Sequence, residues 1–174
     1  MYTSKFVTPE IIFGKGSLNQ VGESCSRLGS SRVFLVADKG VIQYGWVDKI
    51  LSFLEEAGLE YIIWSGFSAN PKDYEVEEGA LLYADNGCDA VLAVGGGSAI
   101  DAAKAVATLS TNPGKIQDYE GIDLIQYPLP PLIVVPSTAG SGSEVSQFSI
   151  IADSRRKLKM TIISKSLVPD IAIS

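Results

Sequence analysis

The 174-residue sequence contains no histidine. Histidine is the commonest imidazole metal ligand and the side chain that titrates nearest neutrality, so a histidine-bound metal centre and a histidine general base are both excluded from these residues. Cysteine is almost as scarce. Cys25 and Cys88 form no Cys-x-x-Cys pair, which argues against a disulfide framework and a thiolate metal knot. Both are expected to act as small apolar residues of a reduced, cytoplasmic chain, Cys25 on a helix and Cys88 just before a strand. No apolar run is long enough to span a bilayer, and Met1–Lys5 leads into a strand-like stretch rather than a signal peptide, so no membrane partner is expected. Basic clusters go no further than Arg155-Arg156-Lys157, and with a net charge of −6 this argues against nucleic acid as a partner.

What is present describes a folded chain. Hydrophobic residues make up 46% and charged residues 20%, a globular balance expected to form one domain over residues 1–174. Apolar β-branched runs alternate with amphipathic stretches. Val33–Ala37, Glu60–Trp64, Ala90–Val94 and Leu132–Val135 read as strands. Val41–Ala57 reads as one helix with Ile50, Leu51 and Leu54 inward and a stop at Gly58. Asp73–Asn86 reads as another, its stripe formed by Val76, Ala80 and Ala84 and its end by Gly87. Ser17 followed by Gln20 has capping-box spacing for an earlier helix ending at Gly29.

Strands that are apolar at nearly every position must be covered on both faces. The fold class is therefore α/β: a doubly wound, mostly parallel Rossmann-like sheet with right-handed crossovers. After Gly142 the pattern changes to period two, so Gln147–Ala152 and Leu158–Ile163 predict an appended β-hairpin around the turn Asp153–Lys157. Pro169–Ile173 reads as a last short strand. Asn112-Pro113-Gly114 and Pro128–Pro131 bracket an irregular segment.

In such a sheet the turns after the strands line one crevice. Three of them are polar or glycine-rich: Asp38, Gly95–Ser98 and Ser137–Gly142. Gly95, Gly96 and Gly97 are the most informative. Backbone without side chains can lie against a phosphate, and the helix opening at Ser98 offers unpaired N–H groups and a partial positive charge. Asp38 can bond both ribose hydroxyls of an adenosine and would repel a 2′-phosphate, favouring NAD over NADP; it equally suits a helix N-cap. The loop Pro136–Ser146 interleaves hydroxyls and glycines, which suits a wrap around a phosphate or nicotinamide. Asn70-Pro71 reads as a turn, and Asp101 with Lys104 as a local helix ion pair.

These residues carry a family resemblance. Gly95-Gly96-Gly97-Ser98-Ala99-Ile100-Asp101-Ala102-Ala103-Lys104, followed by Pro136-Ser137-Thr138-Ala139-Gly140-Ser141-Gly142-Ser143-Glu144-Val145-Ser146, resembles the iron-containing (group III) alcohol dehydrogenases. Phe13-Gly14-Lys15-Gly16, Asp38 and Asn70-Pro71 fit the same layout, and the resemblance covers essentially the full chain. Glycerol dehydrogenase and dehydroquinate synthase share the glycine core, but the loop ending Gly142-Ser143-Glu144 is similar to that of the alcohol dehydrogenases.

The resemblance implies NAD as cofactor, with Gly95, Gly96, Gly97 and Ser98 at its pyrophosphate and Asp38 at its adenosine ribose. It puts Asn70 and Asp101 along the nicotinamide half. It sets Ser137, Thr138, Ser141 and Ser146 around adenine, phosphates and nicotinamide ribose, Lys159 near the cofactor, and Phe148 beside the substrate channel. The family often has threonine where this chain has Ser137, Ser141 and Ser146; the hydroxyl persists and a methyl is lost. The resemblance further implies a small alcohol or aldehyde substrate, a homo-oligomer paired through an early strand at Ser4–Phe13, and a helical domain holding Fe²⁺ or Zn²⁺ on one aspartate and three histidines. With no histidine here, these residues are expected to be the cofactor half of such an enzyme, with no catalytic or metal-ligating residue of their own and no activity alone. The alternatives are a standalone NAD- or ADP-binding module or sensor, and a relative of glycerol dehydrogenase.

Overall fold

The computed structural model describes residues 7–174. Its main sheet contains β1 (Glu10–Ile12), β2 (Arg32–Ala37), β3 (Glu60–Trp64), β4 (Ala90–Gly95), β6 (Leu132–Pro136) and β9 (Ile171–Ile173), ordered β1-β9-β6-β4-β2-β3. Every pairing in it is parallel. The helices are α1 (Val21–Arg27), α2 (Lys39–Gln43), α3 (Trp46–Glu56), α4 (Asp73–Asp85) and α5 (Gly97–Thr111). None of them is long and apolar enough to cross a membrane.

The continuous apolar strands have the expected cause. Alternate side chains of the central strands enter two separate cores, so no strand position is left for water. Phe34, Val36, Val91 and Ala93 join α4 and α5 in one core. Val33, Leu35, Leu92 and Val94 join α1 and α3 in the other. In the first core Phe34 stacks on Trp64 and meets the Tyr83 ring edge-on. The chain leaves β2 for β3 at one edge, then crosses to β4 on the far side of β2. That reversal opens a crevice above the C-terminal ends of β2 and β4.

The second sheet is the expected hairpin, β7 (Phe148–Asp153) antiparallel to β8 (Leu158–Ile163), plus one strand more. β5 (Gly121–Ile122) pairs parallel with β8, so the segment read as irregular contains a short strand. Asn112, buried ahead of it, fastens its far end: Oδ1 accepts from the N–H groups of Gln126 at 3.0 Å and Tyr127 at 2.9 Å.

Several local expectations are corrected. The single helix over Val41–Ala57 is two helices, because Gly45 turns left-handed at φ 73° and breaks the run. Ser17 does not cap a helix. Gly16 precedes a 3₁₀ turn, and the Ser17 hydroxyl instead donates to Ser174 O at 2.9 Å, a partner at the far end of the sequence. Ala84 is exposed and Tyr83 takes its inward place on α4. Among the described residues the early strand runs Glu10–Ile12, paired with β9; Ser4–Phe6 of the expected stretch lie outside the described residues. Both cysteines are free and buried, as expected.

Candidate functional site

Three turns meet at the crevice. β2 leads directly into Asp38, whose extended backbone starts α2 and whose Oδ1 accepts from Val41 N–H at 2.9 Å. The capping reading is thus true of one oxygen. The other, Oδ2, faces the glycine turn and receives Gly96 N–H at 3.4 Å.

Gly95 is required by space as well as conformation, and Gly96 and Gly97 sit in close quarters. Gly95 has φ 152°, and a Cβ there would stand 2.5 Å from Asp38 Oδ2 and 2.8 Å from Ala99 Cβ. A Cβ on Gly96 would meet Thr138 Oγ1 at 3.3 Å, and one on Gly97 would meet Ser141 Cβ at 3.2 Å. Helix α5 opens here, and the N–H groups of its first turn have no carbonyl behind them within the helix. Its dipole adds a partial positive charge at that end.

Asp38, Gly96, Gly97, Ser98, Ser137 and Thr138 line one open cavity of about 860 Å³. Its apolar wall is Tyr44, Trp46 and Phe67, of which Tyr44 is 83% and Trp46 52% exposed. Sequence reading missed this wall. Tyr44 and Trp46 flank the helix break at Gly45, and an isolated glycine between two aromatics inside a helical pattern was the available signal.

A second, smaller cavity of about 110 Å³ gathers Asn70 from the turn before α4, Ser98 and Asp101 from α5, and Lys159 from β8. The Ser98 hydroxyl donates to Ala69 O, tying the α5 start to the Asn70 turn. Burial pushes the Asp101 carboxyl up to about 6, against the opposing pull of Lys104, the Ile150 N–H and Lys159.

Ser141, Ser146 and Phe148 line neither cavity. Ser141 packs beside Gly97, while Ser146 and Phe148 accept hydrogen bonds from Lys104. The expected Asp101–Lys104 ion pair does not form. Lys104 is fully buried and spends its protons on Ser143 O, Ser146 O and Phe148 O. No group of three or more His, Cys, Asp or Glu side chains among the described residues could hold a metal ion, so the metal implied by the resemblance does not fit here.

Residues 8–174 match the family description "Iron-containing alcohol dehydrogenase". The chain is 37% identical to the 1,3-propanediol dehydrogenase of Klebsiella pneumoniae over 97% of its own length and 44% of that enzyme's. It is 33% identical to the NAD-dependent methanol dehydrogenase of Bacillus methanolicus, over 98% of its own length and 45% of the other. Among solved structures, a 1,3-propanediol oxidoreductase superposes with a TM-score of 0.95 at 36% identity, covering 99% of this chain and 45% of the other. The NADH-dependent butanol dehydrogenase A of Thermotoga maritima gives 0.91 at 31% identity, with 99% and 44% covered. The chain therefore spans a little under half the length of these relatives.

Proposed function

Because the chain belongs to the iron-containing alcohol dehydrogenase family, we propose that residues 1–174 form the NAD-binding domain of an enzyme that exchanges hydride between NAD and a small primary alcohol or diol. The observation that carries this is the Gly95–Gly97 turn, where Asp38 leaves no room for a side chain at 95, Ser141 crowds one at 97, and helix α5 directs free amides outward. A diphosphate fits such a turn because backbone donors and the helix dipole both favour an anion there. When bound, NAD supplies the hydride acceptor; these residues hold and orient it.

Gly96, Gly97 and Ser98 bind the pyrophosphate, and Asp38 the adenosine ribose. Tyr44, Trp46 and Phe67 offer the apolar wall against which an adenine ring can lie. Asn70, Asp101 and Lys159 border the nicotinamide half. Ser137, Thr138, Ser141 and Ser146 contribute from the serine-rich loop, and Phe148 borders the alcohol's path. The substrate class rests on the names of the relatives, which act on methanol and 1,3-propanediol.

Iron or zinc would be held only in the whole enzyme, since the described residues here supply no ligand set for either. These residues alone are expected to bind NAD without oxidising alcohol; metal-dependent oxidation of propanol or propanediol by them would overturn that. Cytoplasmic location is supported by two free, buried thiols. Self-association is supported by β1, which lies at the sheet edge among the described residues and carries Ile11 at 58% exposure, with Phe13 just after it at 85%.

The test is calorimetric titration with NAD and ADP-ribose of the native chain, Asp38→Ala and Gly97→Val. Native chain should bind both ligands, Gly97→Val neither, and Asp38→Ala should bind about tenfold more weakly through loss of a charge-assisted hydrogen bond. A native chain that binds neither ligand would overturn the proposal.

A further inference from the structure

Lys104 lies on α5, wholly shielded from solvent. A buried ammonium is costly unless each of its protons finds an acceptor. Here Nζ donates to Ser143 O at 2.8 Å, Ser146 O at 2.7 Å and Phe148 O at 3.0 Å, with Ser146 Oγ a further 3.3 Å away. Three carbonyls of one short stretch converge on a single side chain.

The loop between β6 and β7 has few other ties. Its start is fixed by Ser137 N–H to Gly95 O at 2.9 Å, its middle by Val145 N–H to Gly142 O at 3.2 Å, and its end by Ser164 N–H to Gln147 O at 3.0 Å. Among the described residues, only Lys104 and the Ser149 hydroxyl, which donates to Asp101 O at 2.9 Å, tie this region to α5 by side-chain hydrogen bonds. Yet this loop puts Ser141 Cβ and Ser143 Oγ within 3.2 and 3.3 Å of where a Gly97 Cβ would stand. Lys104 itself is two helical turns beyond Gly97, about 10 Å along the axis at the ordinary helical rise, too far to touch a phosphate on that turn.

We propose that Lys104 is a positioning residue: its buried charge draws residues 143–148 onto α5 and so sets the serine-rich loop over the glycine turn. One helix thereby carries both the phosphate-facing amides and the anchor of the opposite wall. The effect on cofactor affinity rests on the NAD reading above; the anchoring does not.

The charged groups acting on Lys104 are Asp101, one turn earlier on α5, and Glu144 on the loop, while Lys159 on β8 acts on Asp101. Glu144 Oε2 is buried with no hydrogen-bond partner, leaving its charge to act through space. Burial lowers the Lys104 pKa from 10.5 to about 8. Mild alkali therefore removes a proton and one of the three anchoring bonds. The same lowering means that this group's contribution to overall fold stability rises, not falls, between pH 8 and 10.5. Loosening of the loop is thus separable from unfolding.

The experiment compares native chain with Lys104→Met, which keeps the apolar stem and removes the charge. Amide hydrogen exchange over residues 141–148, without ligand, should be about tenfold or more faster in the variant, and its NAD affinity about tenfold weaker, as expected for losing hydrogen bonds to a charged group. Native affinity should fall between about pH 7 and about pH 9.5, and the variant's should not follow it. Should the variant fail to fold, the native pH series decides alone. Unchanged loop exchange in a folded variant, or a native affinity flat with pH, would overturn the inference. A native chain that binds no dinucleotide would instead sink the NAD reading, and loop exchange would still judge the anchor.

Discussion

Asp38 and Gly95 are fitted to each other: the carboxylate Oδ2 occupies a position 2.5 Å from where any Cβ at 95 would be. β2 leads into Asp38 and the neighbouring β4 ends in Gly95, so a side chain at 95 can enter only if Asp38 moves. Gly95→Ala is expected to destabilise the fold by about 2–4 kcal/mol, combining strain at a glycine-favouring φ with overpacking. It should also abolish dinucleotide binding, since Asp38 or the turn must move. Urea unfolding and calorimetry would check both.

Asp38→Asn separates the two duties of this residue. Asparagine caps helices as well as aspartate, so stability should change by less than about 0.5 kcal/mol. The negative charge is lost, and the preference for NAD over NADP should shrink about tenfold. Titration with both dinucleotides measures the ratio.

Asp101 makes stability depend on pH. Its folded pKa is raised to about 6 from an ordinary 3.8 by burial. Between those values the folded state holds a proton that the unfolded chain has released. This group's contribution is therefore most favourable at low pH and is lost as pH rises through 6. Asp101→Asn should remove that slope and stabilise the fold above it by on the order of 1–3 kcal/mol. Denaturant unfolding at about pH 4.5 and about pH 7.5 provides the comparison.

Gly22 marks where α1 crosses α3. A Cβ there would lie 2.2 Å from the Phe53 carbonyl oxygen, a backbone atom that cannot swing aside. Alanine is the better helix former by about 1 kcal/mol, yet Gly22→Ala should lose at least about 2 kcal/mol through overpacking. A rise in melting temperature would disprove the close crossing.

The strands were legible because burial on both faces leaves a run of apolar residues that needs no partner to be recognised. Val33–Ala37 and Ala90–Val94 are such runs. The Gly95–Gly97 turn was legible for a related reason: consecutive glycines announce a backbone that must be approached closely. Local reading failed where one residue had two uses. Ser17 has capping spacing but bonds Ser174, and Gly45 sits inside a helical pattern yet turns the chain. Lys104 has helix-pair spacing with Asp101, but carbonyls far along the chain outcompete that neighbour for its protons.

By itself the sequence determined the class of fold, the position of the glycine turn and the absence of imidazole, because periodicity, glycine content and composition are properties of adjacent residues. Only the tertiary structure decided that β9 inserts between β1 and β6, that Tyr44 and Trp46 wall the cleft, and that a buried lysine holds the serine-rich loop. Those outcomes depend on which distant groups come within contact and hydrogen-bonding range, and that is fixed only when the chain has packed.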